Sequence, residues 1–313
     1  MRVTIGIDVG GTAAKGGLID VDGRVVERTE FPTDPSAATK SILAVAEDLL
    51  VTAKGMNLSV GAVGIGAAGF IDAATGSVTF SPNLTYDEPR IADVVSSRTG
   101  LKTVVDNDAN AAAWGERTYG AARGFDHVVM LTLGTGIGSG LIVDGGLVRG
   151  ASGAGAEAGH MVIDPDGPQC PCGLKGCLER FASGSAIAEA ARKAVLKDPK
   201  SAILDFASSP EQTTGEDVAR AAREYDETAR SVMLAAGRAL GVGMSNLVNL
   251  FDPEVIVLGG SVIGAGEPYL GPARDTLNRM LDAQRRRPVR LVQATLGNDA
   301  GLIGAAALAA EVA

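Results

Sequence analysis

The sequence predicts an α/β protein built as two similar halves that face each other across a cleft. Three observations carry this. Short apolar runs that end at glycine alternate with alanine-rich runs of helical period. A strand–turn–strand pattern occurs twice, as TIGIDVGGTAAKGGLI at 4–19 and HVVMLTLGTGIGSGLI at 127–142. Gly11-Thr12 then falls on Gly134-Thr135, and Gly17-Leu18-Ile19 on Gly140-Leu141-Ile142. A third glycine turn closes the apolar run VIVLGG at 255–260. One Gly-Thr turn arises readily by chance, whereas a shared frame with matching apolar positions points to duplication.

Taken in order, strands are predicted over 3–7 and 15–19, which flank the first glycine turn, and over 61–66 in GAVGIG. The run KTVV at 102–105 is a strand that meets polar capping residues and then a helix over 109–119. Strands over 128–133 and 140–143 flank the second turn, and 255–258 leads into the third. Further helices are predicted over 37–53, 184–196, 215–250 with interruptions, and 299–310. No low-complexity linker divides the chain; the loosest stretch, 197–217, is a polar excursion between helices.

Composition narrows the function classes. Lys+Arg 28 against Asp+Glu 37 gives a net charge of −9 over 313 residues. Phosphate-backbone binding needs a basic surface, so nucleic acid is not an expected partner. No charge-free apolar run approaches the roughly 20 residues that span a bilayer, so no membrane is expected. The longest, AGLIGAAALAA near the C-terminus, reads as a buried helix. The opening MRVTIGIDVGG enters a strand at once without the features of a secretion signal. Three cysteines do not make a secreted disulfide framework. A cytoplasmic protein is therefore expected.

The glycine turns suggest phosphate chemistry. In GIDVGGT, Asp8 ends a strand and Gly10, Gly11 and Thr12 form the turn after it. Glycine lets backbone N–H groups approach an anion with no Cβ in the way. A carboxylate beside such a turn suits Mg²⁺, which keeps several waters and joins one or two carboxylates to substrate phosphates. An ordinary hairpin turn would explain the first turn alone. The second, at Gly134, Thr135 and Gly136, and the third, at Gly259-Gly260, shift the balance. None fits the P-loop or the dinucleotide fingerprint.

The order of these turns resembles that of the actin/hexokinase/Hsp70 superfamily, with its ribonuclease H-like domains and inter-domain cleft. Within it, GHMVIDPDGPQCPCGLKGCLE resembles the signature of the ROK family of repressors, open reading frames and sugar kinases. The wider pattern covers almost the whole chain. It runs GIGAAGF, SPNL, VVDNDANAAAWGE, LGTGIGSG, AGAEAGH, CPCGLKGCLERFASG, LFDPEVIVLGG and LGNDAGLIGAA. It is most similar to the actinobacterial, glucose-phosphorylating members. The resemblance implies a smaller N-terminal domain, 1–110 plus a returning helix in 300–313, and a larger one over 111–299. It implies ATP-dependent phosphorylation of a hexose, glucose first, with ATP and Mg²⁺ at the glycine turns, adenosine beside Gly259-Gly260, and a homodimer or higher homo-oligomer.

By the same resemblance the second acid of the Asn-Asp pair, Asp108, is the general base. Asp is also a preferred helix cap, but Asn107 caps equally well, so capping alone does not need both. Gly69, Asn83, Asn107, Asp108, Glu157, His160 and Glu179 would surround the sugar hydroxyls. Each hydroxyl both donates and accepts, which carboxylates and amides can match. Taken singly, Asn83 is a turn residue and Glu179 a helix-surface acid; their joint fit to one signature favours sugar. One departure stands out: relatives often carry lysine directly after Gly-Gly-Thr, where this chain has Ala13. Lys15 is assigned no phosphate role. The neighbouring Gly16-Gly17 also resembles polyphosphate-using relatives.

The cysteines form a metal pattern with one of the two histidines. H-x9-C-x-C-x4-C, at His160, Cys170, Cys172 and Cys177, offers one imidazole and three thiolates, a tetrahedral set for Zn²⁺. Cys170 and Cys172 are too close to pair comfortably as a disulfide, and scattered core cysteines would not fall within eight positions. Four protein ligands close the shell, so the ion is expected to be structural. One His160 nitrogen would bind zinc and the other face a sugar hydroxyl. His127, beside Asp126, receives no functional reading. Rival readings are a kinase for N-acetylmannosamine, mannose or fructose, a polyphosphate-using glucose kinase, and a non-catalytic sugar sensor. The phosphate turn so near residue 1 leaves no room for a preceding DNA-binding domain, which weighs against a repressor.

Overall fold

Every apolar run that ends at a glycine turn becomes a strand in the computed structural model, which describes residues 1–313. The first stretch runs β1 (Arg2–Val9), β2 (Ala13–Ile19), β3 (Val25–Pro32), α1 (Ala38–Gly55), β4 (Ser59–Ala67), β5 (Phe70–Asp72), β6 (Ser77–Phe80), α2 (Ile91–Thr99), β7 (Lys102–Asn107) and α3 (Asp108–Thr118). There follow β8 (Val128–Leu133), β9 (Ile137–Val143), β10 (Gly146–Leu147), α4 (Glu179–Ala182), α5 (Gly184–Val195), α6 (Ile203–Phe206), α7 (Gly215–Arg223) and α8 (Glu227–Phe251). The chain ends in β11 (Val255–Gly259), α9 (Glu267–Ala283), β12 (Arg290–Gln293) and α10 (Ala300–Ala310).

The predicted duplication is visible in the sheets. One has the order β3-β2-β1-β4-β7 and the other β10-β9-β8-β11-β12. Each is a run of three sequential strands joined to two later ones, in the same sequence of positions. In the first sheet β1 pairs antiparallel with β2 and parallel with β4, and β4 pairs parallel with β7. In the second, β11 and β12 are parallel. Sequence pattern missed β3, β5, β6, β10, β12, α2, α4, α6 and α9. β3 is an edge strand with exposed charged residues, so it lacks apolar alternation. α9 carries Pro272 in its interior, normally a helix breaker.

The chain divides into two compact units, Met1–Val128 with Gly140–Ala156 and Ala294–Ala313, and Val129–Ser139 with Glu157–Gln293. This differs from the expected boundary after residue 110: α3 and the segment after β9 join the first unit. The reason is a close approach between α3 and α10. A Cβ on Gly304 would lie 1.7 Å from the Ala111 carbonyl oxygen, and one on Gly115 would lie 2.7 Å from that of Ala300. Glu116, fully buried on α3, accepts from the N–H of Leu296 at 2.8 Å and of Ala121 at 2.7 Å. That carboxylate ties the returning chain to the helix.

Glycines also bring α10 onto the sheet. A Cβ on Gly6 of β1 would lie 1.9 Å from the Leu302 carbonyl oxygen, and one on Gly64 of β4 would lie 1.8 Å from that of Ala305. Residues Ala300–Ala309 of α10 are all buried, as the apolar run predicted. On the other face α1 covers the sheet with Ile42, Val45, Ala46 and Leu49, packed against Ile5, Ile7 and Leu18. In the second unit, α8 has the length and composition of a membrane span, but 61% of its most apolar window is buried inside the protein. Gly237 and Gly241 let it press on the backbone of α9 at Tyr269 and Ala273.

Substituting Gly64 by Ala is expected to destabilise the fold by about 3 kcal/mol, since backbone rather than a side chain must move. Denaturant unfolding would read this as a lowered midpoint. A wild-type midpoint would contradict the close seating of α10 on β4.

Candidate active site

In the first unit, the site begins with one row across the sheet. Asp8 of β1 pairs in register with Gly66 of β4, which pairs with Asp106 of β7. These positions share the face on which Gly6 and Gly64 meet α10, because side chains two apart on a strand point the same way. Gly66 has no side chain to fill the gap. A Cβ there would lie 3.4 Å from the Asp108 Cα and 3.2 Å from the Ala111 Cβ, so the start of α3 rests on the middle of the row. Asp8 and Asp108 are thereby brought together.

Local chemistry builds the turn from β7 into α3. Asn107 is the helix cap, and its Oδ1 accepts from the N–H groups of Ala109 at 2.9 Å and Asn110 at 3.1 Å. Its amide Nδ2 donates to the Gly69 carbonyl at 3.1 Å. Gly69 has φ +130°, and a Cβ there would meet the Phe80 carbonyl oxygen at 2.3 Å, so glycine is required. Capping therefore belongs to Asn107. Asp108 is the first helical residue, and its Oδ1 accepts from the adjacent Ala109 N–H at 2.9 Å. Asn83 is exposed on the 81–90 loop, and no hydrogen bond ties it to these residues.

Electrostatics separate the two acids from ordinary surface carboxylates. Burial lifts the Asp8 carboxyl to about 7; the neighbouring Asp108 adds to the rise and Lys15 opposes it. Lys15 stands directly opposite Asp8 in the β1–β2 register. It thus acts on the acid, a role that its offset from the family position had hidden. Burial also raises Asp108, opposed by N–H groups at Ala109 and Asp108 and by the Asn107 side chain. No hydrogen bond helps hold the Asp8 charge, so its carboxylate suits an added cation. These observations fit the expected Mg²⁺ ligand. Sequence reasoning missed two neighbours. Tyr86 donates to the Ala68 carbonyl at 3.1 Å, and burial, Asp108 and Asp8 all raise its hydroxyl pKa. A Cβ on Gly301, in the first turn of α10, would fall 2.8 Å from the Asp8 carboxyl carbon.

Glycine turn one, Gly10 to Thr12, is braced by Thr33. Its hydroxyl donates to the Gly10 carbonyl at 2.8 Å, and its N–H donates to that of Thr12 at 3.0 Å.

In the second unit, the Gly134–Gly136 turn opens a cavity of about 600 Å³. Gly134 and Thr135 line it together with Gly184 and Ser185 of α5, Thr214 to Glu216, and Ser261, Val262, Gly264 and Ala265. Gly259 and Gly260 are not in the wall. Gly260 has φ +89° and packs against Leu133, where a Cβ would lie 2.3 Å from the carbonyl oxygen. The third turn thus shapes the cavity through the residues that follow it. Arg192 and Arg223 also line this cavity and carried no sequence signal.

The cysteine stretch folds as the metal pattern predicted. The ligand atoms of His160, Cys170, Cys172 and Cys177 all lie within 4.8 Å of one another. His160 Nδ1 is 3.7 Å from Cys170 Sγ, and Cys172 Sγ is 3.6 Å from Cys177 Sγ. Zn–S bonds of about 2.3 Å in a tetrahedron separate sulfurs by roughly 3.8 Å. The residues therefore fit zinc, and all three cysteines are free of disulfides. Burial first, then the other two thiols, pushes the Cys177 thiol up to about 12, so a cation is needed to draw it into the thiolate form. Gly176, with φ +70°, makes the tight loop possible, because a Cβ there would lie 1.5 Å from the Asp164 carbonyl oxygen.

Two acids flank this knot. Glu179 Oε2 accepts from the Ile137 N–H at 2.8 Å, just after the second glycine turn. Glu157 precedes the short 3₁₀ turn Ala158–His160. The Ala158 N–H donates to Ser139 on β9 at 2.9 Å, and Gly159 packs against the Ile137 carbonyl. Glu157, His160, Glu179 and the second turn are therefore parts of one assembly. His127 lies apart, 3.5 Å from Asp144.

A model of the ROK family matches residues 4–312. The chain is 38% identical to a glucokinase of Streptomyces coelicolor, over 99% of this chain and 98% of that protein. It is 37% identical to a glucokinase of Thermotoga maritima, over 98% and 97%. Among solved structures, a ROK family glucokinase from Streptomyces griseus in complex with glucose and AMPPNP superposes with a TM-score of 0.86. The two are 39% identical, and the match covers 99% of each chain.

The raised carboxyls have a measurable consequence for stability. Between the ordinary value of 3.8 and about 7, the folded chain holds a proton at Asp8 that the unfolded chain has released. The stabilisation is full below 3.8 and is lost as pH rises through the folded value. The melting temperature of the metal-free protein is therefore expected to rise from about pH 8 to about pH 6, and Asp8→Asn to flatten that slope. A wild-type melting temperature that does not change over the window, or the same slope in Asp8→Asn, would contradict the assignment.

Proposed function

Because this chain belongs to the ROK family, we propose that it is an ATP-dependent glucokinase, which transfers the γ-phosphoryl group of ATP to the 6-hydroxyl of glucose. The observation that carries this is a near full-length match to glucokinases together with an intact Asp8–Asp108 pair and both phosphate turns. The fold is the two-domain, actin/hexokinase-like α/β fold of sugar kinases.

Phosphoryl transfer has a loose transition state, so positioning and charge placement supply most of the rate. Asp108 accepts the proton of the attacking hydroxyl. Its raised pKa brings it closer to the working pH, where a base combines availability with driving force. Its Oδ1 accepts from the Ala109 N–H, which holds the carboxyl at the start of α3. Asn107 fixes that carboxylate by capping the helix and gripping Gly69. Glu157, His160 and Glu179 bind further sugar hydroxyls, with His160 using the ring nitrogen opposite the one that faces Cys170. The turns at Gly10–Thr12 and Gly134–Gly136 hold the ATP phosphates, and the 600 Å³ cavity holds the adenosine. Asp8 would hold Mg²⁺, which neutralises phosphate charge when bound with ATP. His160 and the three cysteines would hold a structural Zn²⁺ that fixes the Glu157–Glu179 assembly. A cytoplasmic location and a homo-oligomeric state complete the proposal, the first supported by three unpaired thiols.

In a coupled ADP-release assay over a hexose panel, with ATP or polyphosphate as donor, glucose with ATP is expected to give the highest kcat/KM. Dominant turnover of an N-acetylated sugar, or of polyphosphate, would redirect the assignment; no turnover at all would favour a sensor. Asp108→Asn is expected to lower kcat by about 100-fold or more. Glucose should still quench or enhance the fluorescence of Trp114, the single tryptophan, which lies on α3. Near-normal turnover would remove Asp108 as the base. Elemental analysis should find about one zinc per chain, and its removal should lower the melting temperature. A metal-free protein of unchanged stability and activity would end the zinc assignment.

A further inference from the structure

Asp106 is the first acid of the sequence VVDNDAN, 2% exposed, and no step above uses it. Both of its oxygens are engaged. Oδ1 accepts from the backbone N–H of Asn107 at 2.8 Å and from the Asn110 side-chain amide at 3.0 Å. Oδ2 accepts from Arg149 Nε at 2.7 Å. One carboxylate thus grips the residue before Asp108 and the residue two after it, on either side of the strand-to-helix junction. Arg149 is the cation that compensates it. A buried carboxylate deprived of its partner is strongly disfavoured, so the grip depends on the guanidinium.

Arg149 does not belong to β7 or α3. It lies in the segment after β10, which is shaped by Gly150 and Gly153 at φ +73° and +76°. A Cβ on Gly153 would lie 1.7 Å from the Ile71 carbonyl oxygen, so this segment is seated on β5, and the Gly155 N–H returns to the Arg149 carbonyl at 3.1 Å. The same segment runs on in sequence to Glu157. We infer that Asp106 and Arg149 form a positioning pair that sets the junction carrying Asn107 and Asp108, and that it makes placement of the base depend on the segment leading to Glu157. This rests on the glucokinase reading with Asp108 as base. Neither residue touches the reacting atoms; they act through Asn107 and Asp108.

The pair predicts a specific kinetic pattern. Arg149→Met is expected to lower kcat with glucose by about tenfold or more, since small misplacements of reacting groups are expensive in rate. KM for ATP should stay within about twofold, because the glycine turns and the cavity are not part of the network. Arg149→Lys should recover part of the lost kcat by restoring charge. Asp106→Asn keeps the shape and should reproduce the Arg149→Met loss, and the double variant should be no worse than either single one, because the two act as a unit. If Arg149→Met does not fold, Asp106→Asn alone reads the same loss of kcat. A folded Arg149→Met or Asp106→Asn with wild-type kcat would overturn the pair, as would losses that multiply in the double variant. Wild type and Asp108→Asn in the same assay separate this from failure of the underlying reading. A wild type without glucose turnover sinks the function, whereas normal behaviour of both controls confines any failure to the pair.

Discussion

The arrangement of the first unit depends on three strand positions without side chains. Gly6 and Gly64 let the backbone of α10 rest directly on β1 and β4, and Gly66 lets the start of α3 rest on the same face. A methyl group in place of a hydrogen at Gly6 or Gly64 would force backbone apart from backbone, and one at Gly66 would crowd Ala111 at the start of α3. Because the helices sit this low, Asp108 is lowered onto the row that begins at Asp8. Gly115 and Gly304 repeat the device between the two helices, so sheet, α3 and α10 lock as one body.

That closeness creates an electrostatic problem with two solutions. Asp106 is neutralised within the fold by Arg149 and by two N–H donors, which makes it a structural anion. Asp8 and Asp108 are left without a strong cation; Lys15 alone opposes the rise at Asp8. The fold therefore holds two acids whose charged forms burial disfavours. The cysteine knot follows the same logic, since burial raises the Cys177 thiol above its ordinary value.

Much of this was legible from the residues. The repeated turn at 4–19 and 127–142 foretold two sheets of matching strand order, and the spacing of His160, Cys170, Cys172 and Cys177 foretold a cluster of metal-ligand size. The cap of α3 was legible as one of Asn107 and Asp108, and the structure gives it to Asn107. Arg149, Glu116 and Gly301 were not readable. Each acts on a group 43 or more positions away, and nothing in its local sequence distinguishes it from a surface arginine, a helix acid or a small helix residue. Glu179 was read as a sugar ligand, and its bond to Ile137 was hidden for the same reason.

The sequence by itself determined the strands, the turns, the metal pattern and the kind of chemistry, because these depend on residue type and short spacing. Backbone freedom at glycine, alternation along a strand and ligand count are local properties. Only the tertiary structure decided which glycines make room for helices, which acid is compensated and which is left free, and where the chain divides. Those outcomes depend on which distant atoms come within a few ångströms. Asp106 and Asp108 are two residues apart and chemically identical; packing against Arg149 gave one a cation partner and left the other without one.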